Sequence, residues 1–317
     1  MARSTRGFHP RVGGVLSGSA VTPPLTVHVV VVLSAVDPVA NGIADEWGPL
    51  PAAEGYVDGA PLRRLSETVW AVRRPGPHIH DERVDLRLPS ELRDARPTLV
   101  FPSIHRSGRN VVSLTVHPLG NPGPETQLGG RPRTFVPTDP LRMATALRLL
   151  DERCQPLGLP ATYEATHHGP AVDLPAFFIE VGSGEQADPL PEAVRVLARV
   201  IPEVDARSAD RVALGVGGGH YVPHFTELAL ERRWAFGHLI SRHSLEEIDR
   251  PSATQAFAQT EGAEGGVQPG AGRGPPGTCG SGTPPPRSGC LAPRPGRPRA
   301  AYGRRSLGFW NMMAPDR

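Results

Sequence analysis

The sequence places two adjacent histidines three residues after a glutamate, within residues 164–170 (EATHHGP). Imidazole nitrogens and a carboxylate oxygen form the donor set that zinc accepts, so Glu164, His167 and His168 could hold a metal or activate water. Adjacent side chains diverge in an extended strand, and a shared site therefore requires the strand to end or bend near Thr166. The spacing leaves a second interpretation open, in which one histidine caps a backbone carbonyl and the other is exposed to solvent.

A glycine-rich run at residues 215–221 (GVGGGHY) resembles a phosphate-binding loop but departs from both standard templates. The run contains three successive glycines, Gly217, Gly218 and Gly219. Such glycines let a backbone approach a ligand closely and aim N–H groups at an anion or oxyanion. The alternative is a tight turn into a helix that begins near Pro223. His220, at the end of the run, favours the functional interpretation.

A glutamate interrupts a predicted buried strand at residues 177–183 (FFIEVGS). A buried charge is costly unless it is paired or ligates a metal, so Glu180 requires a metal, histidine or arginine partner, or else lies at a solvated edge. His117 ends another predicted strand, and His105 lies in a similar position within residues 103–107. For His117 a hydrogen-bonded place beneath a loop is an equal alternative. Three further histidines have no such placement and are predicted to lie at the surface: His78, His80 and His243.

The sequence offers no sign of covalent catalysis. It contains no GxSxG nucleophile elbow, and Cys154 lies at the end of a predicted helix without a histidine nearby in sequence. Water activated by a metal or by a histidine base is therefore the more economical chemistry.

The elements that must position these residues alternate along the chain. Short apolar, β-branched runs predict strands at residues 27–33, 68–72, 98–101, 111–116, 162–166, 177–181, 212–216 and 235–240. A helix is predicted to begin near Pro140, behind the cap residue Asp139, and a second to span residues 191–201. This pattern predicts an α/β fold of three layers, α/β/α, with a mixed, mostly parallel sheet. Four histidine-bearing stretches, at residues 103–107, 115–117, 163–170 and 215–221, lie at predicted strand ends or just after them, where such sheets usually place their sites.

Composition divides the chain of 317 residues into a globular part and two tails. Residues 260–317 are too rich in Gly and Pro to bury a core, and residues 1–24 are Arg-rich, so we expect both to be disordered around a domain at residues 25–259. No apolar stretch is long enough to span a membrane. Three scattered cysteines favour a reducing cytoplasm. Residues 1–250 carry a net charge of −3, which argues against a uniformly basic nucleic-acid clamp.

The chain resembles the archaeal and plant type of D-aminoacyl-tRNA deacylase at residues 164–170, 177–183 and 217–223. Supporting blocks keep the order of that family from about residue 27 to residue 240; they are residues 36–38, 41–43, 103–107, 114–117, 120–121, 129–130 and 235–238. Such a collection is far more specific than any single motif.

The resemblance implies a cytoplasmic hydrolase that cleaves the ester between a D-amino acid and the 3′-terminal ribose of tRNA, which is a proofreading reaction. It also implies two zinc ions per subunit and a fold related to phosphorylases and peptidyl-tRNA hydrolases. We expect a monomer without membrane association whose partner is the tRNA acceptor end. Local contacts to that end are assigned to Arg106, Arg109, Arg131 and Arg133, for which a solvated loop face is the alternative.

Combining the residues with the resemblance, we hypothesise that imidazoles distant in sequence meet around one pocket beside Glu164. The predicted metal-binding and catalytic residues are Glu164, His167, His168 and His220, helped by His105 and His117. The predicted substrate-binding residues are Gly217, Gly218, Gly219, His105, His117 and Glu180. The backbone N–H groups of the glycines would face the oxyanion or the terminal phosphate.

Two alternatives stay open. One is a zinc-dependent hydrolase of other acyl esters or amides on the same scaffold. The other is a degenerate, inactive copy, because members of the family continue past the region of Phe257 into a further strand and helix where this chain has low-complexity sequence. A truncated or frameshifted end would leave an unprotected sheet edge.

Overall fold

The computed structural model describes residues 26–106, 112–183 and 189–269. The strands in these ranges are β1 (Val29–Ser34), β2 (Gly55–Val57), β3 (Ala60–Arg64), β4 (Val69–Arg74), β5 (Thr98–Arg106), β6 (Leu114–Pro118), β7 (Gly120–Asn121), β8 (Thr134–Phe135), β9 (Ala161–Tyr163), β10 (Ala176–Ser183), β11 (Arg211–Val216), β12 (Trp234–Ile240) and β13 (Gly266–Val267). The α-helices are α1 (Pro38–Trp47), α2 (Ser90–Asp94), α3 (Pro140–Cys154), α4 (Pro191–Val200), α5 (Pro223–Arg232) and α6 (Arg250–Ala258).

An eight-stranded sheet forms the centre of the molecule, in the order β2-β3-β4-β1-β5-β10-β6-β9. The inner strands β4, β1, β5 and β10 all run parallel to one another. Strand β6 is antiparallel to β10 and parallel to β9, and the β2–β3 hairpin adds an antiparallel edge. The sheet is therefore mixed and mostly parallel, as the sequence predicts.

Apolar side chains cover both faces of this sheet. In β1, Val29 and Val31 belong to one buried cluster and Val30 and Val32 to another, as the alternation of side chains along a strand requires. Residues of α1, α3 and α4 complete the first cluster. Residues of α2 and of the adjoining 3-10 turns complete the second. The predicted three-layer α/β fold is confirmed, with short helical turns forming much of its second outer layer.

A smaller parallel sheet, in the order β12-β11-β13, lies beside the main one. Phe225 of α5 and Phe236 of β12 join it to the first apolar cluster. On its other side, Leu214 and Ile240 pack with Ala253 of α6 in a third cluster. Strand β11 leads directly into the glycine-rich run, so this sheet fixes the position of His220.

Most predicted elements form where the sequence places them. Each of the eight predicted strands has a counterpart, although residue 111 lies outside the described ranges. Helix α3 begins at Pro140, and the Asp139 side chain accepts a hydrogen bond from the Arg142 N–H at 3.1 Å. Helix α1 was not predicted; Asp37 caps it by accepting hydrogen bonds from two backbone N–H groups.

The predicted C-terminal tail begins too early. Strand β13 lies beyond the expected boundary at residue 259 and pairs with β11, so the ordered chain continues through residues 260–269. The remaining tail, residues 270–317, and the N-terminal extension, residues 1–24, lie outside the described residues. Within the described ranges, no helix has both the length and the apolar character needed to cross a membrane.

Strand register brings the chemistry-bearing residues to one face of the main sheet. Glu180 of β10 lies opposite Ser103 of β5 and Thr115 of β6. Phe178 belongs to the second apolar cluster, so Glu180, two residues further on, points to the same face. His117 lies opposite Phe178 and therefore joins this face. Strand β9 ends at residue 163, and the chain then pairs through isolated bridges of Glu164 with Tyr221 and of His167 with Leu119 before it turns at His168, as a shared site requires.

Candidate active site and metal centre

Glu164 lies at the centre of a group of imidazoles. Its Oε2 atom is 3.1 Å from Nε2 of His220, 3.7 Å from Nε2 of His167 and 3.6 Å from Nδ1 of His105. The carboxylate is fully buried, whereas the His220 side chain is 45% exposed. One buried carboxylate thus faces three imidazole nitrogens from three separate segments.

Glu180 supplies a second buried carboxylate. Its Oε2 atom lies 3.5 Å from Nδ1 of His105 and 3.4 Å from Nε2 of His117. The His117 and His167 ring centroids are 4.1 Å apart, which joins this pair to the group around Glu164. The partner that a buried Glu180 requires is therefore histidine.

These carboxylates and one imidazole leave polar atoms without hydrogen bonds. Neither oxygen of Glu164, nor Oε2 of Glu180, nor Nε2 of His117 has a hydrogen-bond partner among the described residues, although imidazoles lie close by. Buried polar groups are hydrogen-bonded in more than nine of ten cases, so each exception requires an explanation such as an ion. The convergence of these atoms fits a metal.

Backbone carbonyls fix the orientation of three of the histidines. Nδ1 of His167 donates to the Ala165 carbonyl at 2.8 Å, and Nδ1 of His168 donates to the Gly169 carbonyl at 2.7 Å. Nδ1 of His117 lies 3.2 Å from the carbonyl of the next residue. A histidine that donates from one ring nitrogen presents the other as a lone pair, which is the usual arrangement at metal sites. All three rings therefore offer Nε2 to the interior of the cluster.

The protonation of the cluster also suits a cation. Burial, reinforced by the neighbouring imidazoles, holds the pKa of His167 well below its usual range and lowers that of His168 to about 4. Both rings are therefore neutral near pH 7, as a ligand must be. Burial opposes ionisation of Glu180, but His117 and His105 hold the pKa of its carboxyl well below the usual value. Burial opposes protonation of His117, but the Glu180 and Glu164 carboxylates together raise the pKa of its imidazole above the usual value.

Three overlapping sets of donor atoms in the described residues are close enough to hold an ion. The first contains His105, Glu164, His167 and His220; the second contains His117, His167 and His168; the third contains His117, Glu164 and Glu180. Within each set the donor atoms lie within 4.8 Å of one another. Nitrogen and carboxylate donors in this number match the preferences of zinc.

A cavity of about 1170 Å³ opens onto the cluster. The predicted site residues that line it are His105, His167, His168, Glu180, Gly219 and His220. Glu164 and His117 lie buried beneath this surface. The prediction that His167, His168 and His220 share one pocket beside Glu164 is thus confirmed, and its adjacent histidines converge because His168 turns the chain in a left-handed conformation (φ 47°).

Three residues predicted to bind substrate also lie among the possible metal ligands. His105, His117 and Glu180 each share a donor set with Glu164, so they could hold an ion together with it. Sequence spacing could not show this, because strand pairing between β5, β10 and β6 brings them together.

The glycine-rich run differs from its predicted role at two positions. The Gly217 N–H donates to the Ile240 carbonyl at 2.7 Å, which continues the ladder between β11 and β12. Gly217 and Gly218 lie outside the cavity lining, and only Gly219 of the three reaches it. The Gly217 amide is therefore not available to an oxyanion.

Of the three histidines predicted to lie at the surface, one is buried and two are exposed. His78 is 4% exposed, and its Nε2 accepts a hydrogen bond from the Ser34 N–H at 2.9 Å. It packs between the rings of Phe101 and Phe178 on the second apolar face. His243 is exposed, as predicted, and it also lines the cavity from the turn after β12. His80 is exposed, as predicted.

Of the four arginines assigned to the acceptor end, one lies at the cavity and two lie away from it. Arg106 lines the cavity. Arg131 and Arg133 lie elsewhere, and Arg133 forms an ion pair with Asp249 at 3.7 Å. Arg109 lies outside the described residues. Arg242 lines the cavity and was not singled out from the sequence, because it follows β12 in a segment without a recognisable motif.

The fold and the site together define an α/β protein with a candidate hydrolytic metal centre at the edge of its sheets. The family model described as D-aminoacyl-tRNA deacylase matches residues 94–268. This range contains every predicted site residue. The chain belongs to the D-aminoacyl-tRNA deacylase family.

Individual relatives agree with this assignment. The chain is 38% identical over 167 residues to the D-aminoacyl-tRNA deacylase of Thermoplasma acidophilum, covering 53% of this chain and 65% of the relative. It is 33% identical over 225 residues to that of Methanosarcina acetivorans, covering 68% and 73%. A match to the Methanosphaerula palustris protein, 44% identical, covers 53% of this chain and 36% of the relative. The chain thus spans less than two thirds of the length of several curated relatives.

One solved structure shares the fold. It is described as a conserved protein of unknown function, AF0625, and superposes with a TM-score of 0.66 at 28% identity. The match covers 75% of this chain and 84% of the other.

Proposed function

We propose that this protein hydrolyses the ester bond of D-aminoacyl-tRNA and releases a free D-amino acid and tRNA. The observation that carries the proposal is the convergence of five histidines and two buried carboxylates at the floor of a cavity. Several polar atoms of these residues have no hydrogen-bond partner among the described residues. The curated relatives named as D-aminoacyl-tRNA deacylases support the choice of substrate. We expect the reaction to take place in the cytoplasm and the protein to be a monomer.

Zinc is the cofactor that the donor set fits best. The residues that would hold a first ion are Glu164, His105, His167 and His220. His117, His168 and Glu180 remain for the second ion that the family resemblance implies. His167 can serve only one ion, because its Nδ1 is already donated to the Ala165 carbonyl. When bound, zinc lowers the pKa of a water ligand towards neutrality and polarises a carbonyl oxygen.

The protein's own groups orient the reactants and set the charge of the site. The Tyr221 hydroxyl lies 3.3 Å from Nε2 of His105 and fixes that ring with Nδ1 towards the carboxylates. His220, half-exposed at the cavity surface, is accessible to a water molecule or to the substrate ester. His78, Ile79 and Leu128 line the same cavity and supply apolar surface beside the cluster.

The test is turnover of charged tRNA by the purified protein. A D-aminoacyl-tRNA, the same tRNA carrying the L-amino acid, and a small D-amino acid ester are each incubated with protein that has been stripped of metal and reloaded with zinc. We expect zinc-dependent release of the D-amino acid from tRNA, with the L-form and the small ester hydrolysed far more slowly. Faster turnover of the small ester would favour a general acyl esterase, and absence of turnover with bound zinc would favour an inactive copy.

A further inference from the structure

The cavity is larger than the aminoacyl ester of the proposed substrate requires. Ligand pockets for small molecules usually measure about 300–1,000 Å³, and this one exceeds that range although an aminoacyl ester would occupy only a fraction of it. The remaining space extends away from the cluster in two directions, towards the ends of β1 and β5 and towards the turn after β12. The second direction carries exposed positive charge.

Carboxylates are absent from that end of the cavity lining. Among the described lining residues, the acidic ones are Asp37 and Glu180. Asp37 accepts four hydrogen bonds, from the N–H groups of three residues and from the Ser103 hydroxyl, so its charge is already compensated. Glu180 belongs to the buried cluster. Among the described lining residues, the exposed positive charge at that end of the cavity is that of Arg242.

Arg242 is held in place through its backbone rather than through its charge. Its N–H donates to the Gly218 carbonyl at 3.0 Å, two residues before His220. The turn that carries it is closed by the Ser241 hydroxyl, which accepts from the Ser244 N–H at 3.2 Å. Its guanidinium approaches only the His243 ring, at 3.4 Å from Nε to Nε2, and no carboxylate in the described ranges pairs with it.

We infer that Arg242 binds a backbone phosphate of the tRNA acceptor end and so determines specificity for a polynucleotide ester over a small one. This inference rests on the proposed function. Cleavage at the 3′-terminal ribose places that ribose at the cluster, and the phosphate on its 5′ side must then leave the cavity at one end. A guanidinium offers paired N–H donors that match a phosphate, and no carboxylate of the described residues competes for those of Arg242. The Gly218–Arg242 hydrogen bond ties the phosphate contact to the same loop that carries His220.

The experiment compares three variants on two substrates. Arg242→Ala removes the guanidinium, and Arg242→Lys keeps its charge. Arg232→Ala is the matched control, since Arg232 is exposed at the end of α5 and lies outside the cavity lining. The substrates are D-aminoacyl-tRNA and the same D-amino acid esterified to adenosine, which carries no phosphate.

We expect Arg242→Ala to raise KM for the charged tRNA about tenfold with little change in kcat, as for loss of one hydrogen-bonded ion contact. The slope of log KM against log salt concentration should fall by about 0.7, the value for one phosphate of a single strand. Arg242→Lys should show a smaller rise, and Arg232→Ala none. Hydrolysis of the adenosine ester should be equal in all four proteins.

Unchanged KM for tRNA in Arg242→Ala, or equal losses on both substrates, would overturn the inference. Binding of uncharged tRNA, measured by fluorescence anisotropy, tests the phosphate contact separately from the proposed function, because binding requires no hydrolysis. If wild-type protein binds tRNA and only Arg242→Ala weakens the Kd about tenfold, the phosphate contact stands even where turnover fails. Equal Kd values for wild type and Arg242→Ala would reject it.

Discussion

At the scale of single residues, Glu164 and Glu180 contribute more to function than to stability. Neither oxygen of Glu164 accepts a hydrogen bond from a described residue, and both carboxylates are buried. Burying a charge costs free energy, which the imidazoles of His105 and His117 offset at Glu180 and which a bound ion would offset at Glu164. These residues are therefore the ones whose conservative replacement should separate activity from folding.

Replacing Glu164 by Gln should abolish zinc binding while the protein remains folded. The amide keeps the size of the side chain but removes its charge, so the first donor set loses its anionic ligand. We expect kcat/KM for D-aminoacyl-tRNA to fall about 100-fold or more, by analogy with the loss of groups that support metal ligands. Bound zinc is measured by elemental analysis and folding by circular dichroism. Glu67→Gln, at an exposed position, is the control, and full zinc occupancy in Glu164→Gln would contradict the assignment.

A second residue-scale prediction concerns His238, which is fully buried and lies outside the donor sets. Burial lowers its pKa to about 3, although the hydrogen bond that Nε2 donates to the Val136 carbonyl at 2.9 Å opposes this shift. Nδ1 faces the Thr166 hydroxyl at 3.1 Å. The unfolded chain binds a proton near pH 6.5 and the folded protein does not until about pH 3. The contribution of His238 to stability is therefore complete above pH 6.5 and is lost as the pH falls below it.

The measurement is the free energy of unfolding in urea between pH 7 and pH 4. One such histidine contributes a slope of about 1.4 kcal/mol per pH unit below pH 6.5. His238→Gln should show a slope shallower by up to this amount, whereas His80→Gln, at an exposed position, should match the wild type. Identical slopes in all three proteins would show that His238 is protonated in the folded state.

At the scale of elements, the site depends on loops that the sheet brings together. The loop after β7 packs against the 3-10 turn at His78–His80 and against the turn that carries His168. Glu82 links them, accepting hydrogen bonds from the Gly130 N–H at 2.5 Å and the Ala171 N–H at 2.7 Å. The Gly169 N–H donates to the Leu128 carbonyl at 3.1 Å. The ring of His168 is thus positioned by residues far from it in sequence.

A substitution at Gly129 tests the packing of these loops. A Cβ atom at this position would overlap the Ile79 carbonyl oxygen, and its φ of 76° is also unfavourable for alanine. We expect Gly129→Ala to lower the free energy of unfolding by about 3 kcal/mol, the sum of overpacking and backbone strain, and to reduce kcat as His168 moves. Gly59→Ala is the matched control, because its φ is 79° but nothing lies within 4 Å of the added methyl. Gly59→Ala should lower the free energy of unfolding by about 1 kcal/mol and leave kcat unchanged. Equal effects of the two substitutions would reject the packing role.

The elements were easier to predict from sequence than the loops. Apolar runs such as that of β10 and the capped start of α3 appear directly in residue order, because hydrophobic periodicity and capping are local signals. Helix α1 was missed because Asn41 and Gly42 are weak helix formers; its stability comes from the Asp37 cap and from packing beneath β1. The burial of His78 was missed because its contacts are all with residues distant in sequence.

At the scale of the whole molecule, two sheets meet to form one site. The main sheet supplies His105, His117 and Glu180, whereas the loop of the smaller sheet supplies His220. Sequence reasoning named these residues but assigned three of them to substrate binding, because the register between distant strands is not encoded in local spacing. Their convergence follows from pairing of β10 with both β5 and β6.

An ion held by residues from both sheets should stabilise the whole fold. Ligands that bind only the folded state raise the free energy of unfolding by about 2.7 kcal/mol at a concentration 100 times their Kd. We therefore expect zinc to raise the Tm of the metal-stripped protein in a concentration-dependent manner and a chelator to reverse the rise. Magnesium at the same concentration is the control, because it prefers oxygen ligands. Equal shifts with both ions, or none with zinc, would argue against a nitrogen-rich site.

Anomalous X-ray diffraction at the zinc edge tests the central claim most directly, on crystals of the protein grown with zinc. We predict a strong anomalous peak within bonding distance of Glu164 and of at least two of the imidazoles of His105, His167 and His220, absent from crystals of Glu164→Gln. Crystals grown in excess zinc that show no anomalous peak at Glu164, or that show the ion bound elsewhere on the molecule, would contradict the claim.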